Sequence, residues 1–533
     1  MQQVHSRVPV SKHDLAATIG RNTVFGVIAR IAQVATRLVT VPIVINHLGL
    51  GGYGIWSIIM TTGAYMRFGS VGVKSAYQKY VAEATGTGDF ETTNKLLSTG
   101  CFIMFIMSVL GLIPVVFFST GLAKASGVPK NFLHSAAASI SVLALIMVFS
   151  NVGSVYEAIV MGGHRIDLAR NFTTICTIVE AIAIVVLLHL GHGLLAMASV
   201  MAASEAGFVL SCYVASKKIV PQVSVKAKFI SRNVVLELIR FAGSYQLVNI
   251  LEVLYLAILP VTILRHFGAE ASGVYALVTR LAQTALVFPD AFLLPILSGG
   301  AMIYGAGSVE QMRLLIVKSF KATLGLSLLP LSFLAIFGKT LVFAWTGQTS
   351  PSFQVALSLV CVAGLFKSFS ILGLVLYRVS GRALLDNIRQ AASIVILMLI
   401  VLFANRVGFQ GVLAGLAVTE LMGMLFMGFA ITQSFHSFGA KSLVPDALRM
   451  TAATVLVLLV ALAADHFIPT PPIASDRLQA IFRLTKVCLA CTIVLWPAFS
   501  ITGCVTRTEG RALMSAFLPP GLRPTQSGHE QVG

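Results

Sequence analysis

Runs of roughly 20 apolar residues recur along almost the whole chain, and each is long enough to cross about 30 Å of hydrocarbon. In lipid every backbone N–H and C=O must be satisfied within the protein, so such runs must be helices. Reading the apolar windows with their polar breaks predicts about fourteen spans, at 21–46, 52–80, 96–121, 134–160, 171–190, 192–215, 235–264, 271–298, 313–337, 353–379, 388–406, 410–434, 446–467 and 483–506. Charged residues make up only 11% of the chain, where a soluble domain keeps about a quarter, so too little polar material exists to cover a water-facing surface. The fold class is therefore an all-α polytopic membrane protein. Pro42, Pro260, Pro289 and Pro330 fall inside spans and are expected to break some of them.

Charge orients the bundle. One set of loops, with both tails, carries nineteen Lys and Arg; the opposite loops carry seven. By the positive-inside rule both termini are cytoplasmic, which absorbs much of the +18 net charge and removes it as an argument for nucleic acid. The run KKIVPQVSVKAKFISR, Lys217 to Arg232, reads as a linker resting on anionic headgroups. The first residues, MQQVHSRVPVSKHDLAATIGRN, show no removable signal peptide, and PPGLRPTQSGHEQVG reads as a disordered tail. No loop is long enough to hold a separate catalytic domain.

The chain repeats itself. At an offset of 219, Arg21 meets Arg240, His47 meets His266, Gly49 meets Gly268, Gly54 meets Gly273, Gly88 meets Gly307 and Glu91 meets Glu310. At 218, Gly163 meets Gly381 and Gly193 meets Gly411. A nearly constant offset from the first span to the sixth implies two six-helix pseudo-symmetric lobes plus two extra C-terminal helices. Six is even, so the lobes share orientation and are related by an axis along the membrane normal. The expected divisions are a cytoplasmic segment 1–20, an N-lobe 21–216, a basic cytoplasmic linker 217–234, a C-lobe 235–434, two added helices 435–506 and a cytoplasmic tail 507–533.

This repeat bears on HLGLGGYGIW, His47 to Trp56, where Gly49, Gly51 and Gly54 spell G-x-G-x-x-G. A dinucleotide loop opens a soluble βαβ unit with an acid about 20 residues on. Here the next acid is Glu83, and the flanks are membrane spans. The copy, HFGAEASGVY from His266 to Tyr275, keeps Gly49 and Gly54 but puts Glu270 at Gly51. The segment therefore predicts a tight outer hairpin in which Gly49 and Gly54 let two membrane helices turn closely.

An ionisable group at mid-bilayer costs about 2.5–3.5 kcal/mol on insertion scales, so it should face a wet cavity or a partner. Arg30 and Arg37 stand at seven-residue spacing in the first span; Arg67 and Lys74 lie on one stripe of the second. Arg280 and Lys367 occupy the eighth and tenth. Gathered around one cavity, these six cations would favour a polyanionic headgroup such as a diphosphate. Lys318 and Lys321 are expected to reach the interface instead. Among the acids at depth (Glu180, Glu205, Glu252, Asp290, Glu420), Glu252, Asp290 and Glu420 are candidates for coupling or ion pairing.

Other chemistry is sparse. The seven cysteines lie in apolar segments and read as packing residues, Cys488 and Cys491 included. His189 and His192 sit at an outer turn with no third ligand near them in sequence. There is no metal motif, Walker A or nucleophile elbow, so neither a cofactor nor an enzymatic activity is expected.

HLGLGGYGIWSIIM followed by YQKYVAEATGTGDFETTNKLLSTG, and SGVYALVTRLAQTALVFPDAFLLPILS in the second half, resemble polysaccharide transporter proteins. These are the O-antigen-type lipid-linked oligosaccharide flippases of the multidrug/oligosaccharidyl-lipid/polysaccharide superfamily. The resemblance implies a flippase of the bacterial cytoplasmic (inner) membrane, working by alternating access in lipopolysaccharide or exopolysaccharide biosynthesis. It would translocate undecaprenyl-pyrophosphate-linked oligosaccharide, with membrane lipids and a polysaccharide polymerase and chain-length protein as partners, and no nucleic acid. In related lipid II flippases, arginines on helices 1, 2 and 8 matter, and Arg30 or Arg37, Arg67 and Arg280 occupy comparable places; those relatives also have a lipid-tail groove beside their last two helices. The alternatives are a multidrug, cation-coupled exporter of the same superfamily and a membrane polysaccharide polymerase or ligase. Extra helices and arginine-rich walls weigh against the first, and the lack of a large outer loop against the second.

Overall fold

The computed structural model describes residues 12–67, 71–380, 384–434, 443–469 and 475–504, with some side chains inside those helices outside the description. The described residues form fifteen α-helices and one short 3-10 turn, and no strand. In order they are α1 (Lys12–Arg67), α2 (Val71–Thr87), α3 (Phe90–Phe117), α4 (Ser119–Ala125), α5 (Lys130–Gly162), α6 (Ile166–His189), α7 (Leu194–Ile219), α8 (Arg232–Ala285) and α9 (Val287–Gly305). They continue with α10 (Val309–Thr346), α11 (Ser352–Val379), α12 (Leu384–Leu402), α13 (Ala404–Ser434), α14 (Val444–Phe467) and α15 (Asp476–Ile501). Twelve are long and apolar enough to cross a membrane, and the described parts of the fourteen expected spans are helical apart from short breaks such as that at Leu286.

The breaks are made by glycine rather than proline. Pro42, Pro260 and Pro330 lie inside continuous helices. By contrast α1 and α8 each hold two rods, meeting at Gly49 (φ 73°) and Gly268 (φ 85°). Positive φ costs a side-chain-bearing residue roughly 1–2 kcal/mol, and glycine almost nothing. Pro289 is the exception in part, because α8 ends and α9 begins around Leu286, three residues before it.

Packing groups the described chain into two compact units, residues 1–280 with 387–419, and residues 281–386 with 420–533. In the first, α5 packs against α3, α6 and α7, and α1 lies along α6. One core cluster joins Tyr77 of α2, Leu97 of α3, and Val155 and Ile159 of α5 to Val220 and Val223 of the linker. In the second unit α11 is central: 56% of its apolar window is buried, against 11% for α6 in the first unit. Leu372, Leu376 and Val379 of α11 pack on Leu293 of α9 and Met312 of α10, while α14 and α15 close over the far half of α10 at Phe337, Ala461 and Val487. Exposed apolar side chains are numerous, with Phe105, Met107, Leu110 and Phe117 on α3 and Ile175, Val179, Ile182 and Val186 on α6. Surfaces of that kind suit lipid, where water would penalise them.

The basic linker is a strap built onto the first unit. Asn94 of α3 accepts from the Ser224 N–H at 2.8 Å and donates to the Gln222 carbonyl at 3.2 Å. Ser98 Oγ accepts from Lys226 N at 3.1 Å, and Thr99 Oγ1 from Ser231 N at 3.0 Å. With Val220 and Val223 buried, protein rather than headgroups holds this backbone; Lys217, Lys218, Lys226 and Lys228 remain exposed.

Candidate substrate-binding site

Four of the six expected cavity cations, Arg30, Arg37, Arg67 and Lys74, stand on α1 and α2, but their side chains lie outside the described residues. In the first unit Arg280, on the second rod of α8, is half-buried and Glu252, on the first rod, is exposed. In the second unit Lys367 of α11 is half-buried beside the buried Ser368, whose Oγ accepts from Ser327 of α10 at 3.2 Å and donates to the Gly364 carbonyl at 2.9 Å. Asp290 is exposed on α9 and Glu420 is buried on α13; Arg280, Asp290 and Glu420 are each engaged by another group.

Of the two lysines expected at the interface, Lys318 is exposed, whereas Lys321 pairs with Asp446 of α14 at 3.5 Å. Arg449 reaches the same carboxylate at 3.9 Å. A carboxylate shared by two cations on neighbouring helices holds α10 to α14, so Lys321 is a structural tie.

The glycine hairpins do more than turn. Gly49 supplies the corner, but Gly54 lies in the helix after it, against the second copy of the segment. A Cβ built on Gly54 would stand 2.5 Å from Gly273 N and 2.6 Å from the Ala269 carbonyl oxygen. One built on Gly273 would stand 2.1 Å from the Leu50 carbonyl oxygen. Gly54 thus meets its repeat equivalent Gly273, while Gly273 meets Leu50, backbone against backbone in both cases. The histidine near each turn also has a partner from another helix: His47 of α1 lies edge-on to His189 of α6, and His266 of α8 bonds to Asn405 of α13 through Nδ1 and Oδ1 at 2.8 Å.

In the second unit a pocket of about 450 Å³ lies between α10 and α15, lined by Leu341, Ala344 and Trp345 on one side and by Ile481, Leu484, Thr485, Cys488, Leu489 and Thr492 on the other. Its lining is almost entirely apolar. Arg477 of α15 donates from Nε to the Ala344 carbonyl at 3.0 Å and from Nη2 to the Trp345 carbonyl at 2.6 Å. A cation on the last carbonyls of a helix satisfies both their lone pairs and the helix dipole. Cys488 is exposed in this wall, whereas Cys101, Cys212, Cys361 and Cys504 are buried packing residues as expected. Beside the pocket, Asp465 of α14 binds both Arg483 and Lys486 of α15.

Sequence reading missed the contact between the turns, the Arg477 clamp and the strap. The first was within reach, because glycines kept at equivalent positions of a parallel repeat are candidates for contact between the copies. The other two join residues more than 100 positions apart with no pattern to announce them.

Comparison with known proteins adds the following. The family of polysaccharide biosynthesis proteins matches over residues 19–299. Among solved structures the chain resembles an inward-facing multidrug resistance transporter of the MATE family in the MOP superfamily, at a TM-score of 0.63 and 16% identity over 76% of this chain and 96% of that one. It also resembles the lipid II flippase MurJ in an inward closed conformation, at 0.61 and 13% over 89% and 99%. A third is a MOP superfamily transporter from Pyrococcus furiosus, at 0.52 and 16% over 79% and 95%. No curated protein matches. At these identities the structures share the fold, that of membrane transporters and flippases. The family match takes in more than half of the 533 residues, and the chain belongs to the polysaccharide biosynthesis protein family.

Proposed function

We propose that this protein is a flippase of the bacterial cytoplasmic membrane that moves undecaprenyl-pyrophosphate-linked oligosaccharide, an O-antigen or exopolysaccharide repeat unit, from the inner to the outer leaflet. Family membership over residues 19–299 is the observation that carries this reading. Both termini and the strap face the cytoplasm, and the Gly49 and Gly268 turns face outward, in keeping with the Lys/Arg bias. Two six-helix lobes, 21–216 and 235–434, alternate access. The backbone contact between those turns supports a reading in which parting them opens the outer end. Arg30, Arg37, Arg67, Lys74, Arg280 and Lys367 hold the diphosphate and first sugars, because guanidinium and ammonium groups in a low-dielectric cavity favour a multiply charged anion. Glu252, Asp290 and Glu420 balance these cations or carry the coupling ion. The polyprenyl tail stays in lipid, and the apolar pocket between α10 and α15 supports a path for it beside the last helices. A polysaccharide polymerase and chain-length protein then act on the delivered unit.

The MATE-family neighbours favour a second reading, a cation-coupled drug exporter. The two separate on substrate charge: a cation-rich cavity repels the cationic drugs that an exporter carries. In cells, Arg67→Ala and Arg280→Ala are expected to insert normally yet leave the lipid-linked sugar in the inner leaflet. Normal delivery in both variants would overturn the cavity assignment.

A further inference from the structure

His47 and His189 stand 142 positions apart in sequence, yet their ring centres lie 4.6 Å apart with planes at 61°. His47 Nδ1 is 2.8 Å from the Ile43 carbonyl and His189 Nδ1 is 2.8 Å from the Val185 carbonyl, each four residues back on its own helix. A carbonyl can only accept, so both Nδ1 atoms carry the hydrogen, and in the neutral rings both Nε2 atoms carry a lone pair. Neither ring can then donate to the other. Two exposed imidazoles with ring centres this close therefore each keep an Nε2 lone pair that can bind an electrophile.

We propose that His47 and His189 form a binding site for one divalent transition-metal ion of the Zn2+, Ni2+ and Cu2+ class, bridging the turn ends of α1 and α6. Three features match. Imidazole is the preferred ligand of these ions, and a ligating histidine nearly always donates its other N–H to a carbonyl or carboxylate, as both do here. An ion bound to each nitrogen at about 2.0–2.1 Å holds two ring centres roughly 4.5–5.5 Å apart, and 4.6 Å lies within that range. Among the described residues no third His, Cys, Asp or Glu joins the pair, so water completes the coordination and the site is open. In the second copy His266 pairs with Asn405, and the offset of 218 puts Val407 where the first copy has His189, so that copy lacks the site.

The test is isothermal titration of Zn2+ into the full-length, tag-free protein in detergent. One ion is expected to bind the wild-type protein, and that heat should vanish in His47→Gln and in His189→Gln. Glutamine keeps size and polarity at these exposed positions, and an unchanged elution volume checks that each variant is folded. His266→Gln is expected to bind as the wild type does. Unchanged binding in the His47→Gln/His189→Gln double variant, or no binding by the wild type at millimolar Zn2+, would overturn the proposal.

Discussion

Substituting alanine at Gly273 should separate the two glycine turns. Its Cβ would stand 2.1 Å from the Leu50 carbonyl oxygen and 2.8 Å from the Leu50 carbonyl carbon. Ordinary contact begins near 3.4 Å, so the overlap is about 1.3 Å, and it is with backbone that no rotamer change can move. Overpacking of this kind costs about 1–3 kcal/mol where side chains can yield, and more where they cannot. A penalty of 1–3 kcal/mol falling on the closed arrangement alone shifts its population by roughly 5–150-fold. Gly51 and Ala269 supply the assay. A Cβ on Gly51 would lie 3.3 Å from the Ala269 Cβ, close to the about 3.5–4.5 Å spanned by a disulfide. In a background without native cysteines, the Gly51→Cys/Ala269→Cys pair should cross-link readily and block transport until reduced. Adding Gly273→Ala should slow that cross-linking by at least the lower end of the range. An unchanged rate would refute the reasoning, since it would mean the turns absorb the overlap without parting.

Other consequences are more local. Asn94→Ala leaves the Ser224 N–H and Gln222 C=O without their partner and should cost about 1–3 kcal/mol, read as faster protease cleavage within the strap and a lower melting temperature. Arg477→Ala frees the Ala344 and Trp345 carbonyls at a similar cost of about 1–3 kcal/mol, and should raise the labelling rate of Cys488 in the pocket wall below them. Asp89 caps α3 by accepting from Thr92 N at 3.1 Å, and that backbone bond holds its carboxyl below the usual carboxylate range. A lowered folded-state value means the cap contributes above the ordinary carboxylate pKa and is lost as pH falls through the lowered one. Hydrogen exchange at the start of α3 should therefore quicken on acidification, and Asp89→Asn should remove that pH dependence.

The spans were readable because lipid forces each apolar run of this length into helix, whatever its neighbours do. The break at Gly49 was readable for a similar local reason, since glycine is the residue that takes positive φ without strain. What Gly54 touches was not local: its partner lies 219 residues on, and only the repeat hinted at it. The strap shows what composition leaves out. Composition made Lys217 to Arg232 look like a headgroup-facing linker, yet Val220 and Val223 are buried and Asn94 ties the backbone from 128 residues away. His189 showed only His192 beside it in sequence because the ring it meets, His47, belongs to another helix. Cations are the hardest case, because residue type and spacing put Arg67 and Arg280 on helix faces without saying what those faces meet.

The central claim is that a cationic cavity carries a diphosphate-linked sugar lipid across the membrane. The most direct measurement is translocation in liposomes containing the purified protein, with a fluorescent undecaprenyl-pyrophosphate-linked oligosaccharide as substrate and a cationic dye in parallel. The account predicts protein-dependent flipping of the diphosphate lipid that disappears in Arg280→Ala, and no dye transport. Transport of the dye, with the diphosphate lipid left in its original leaflet, would contradict it.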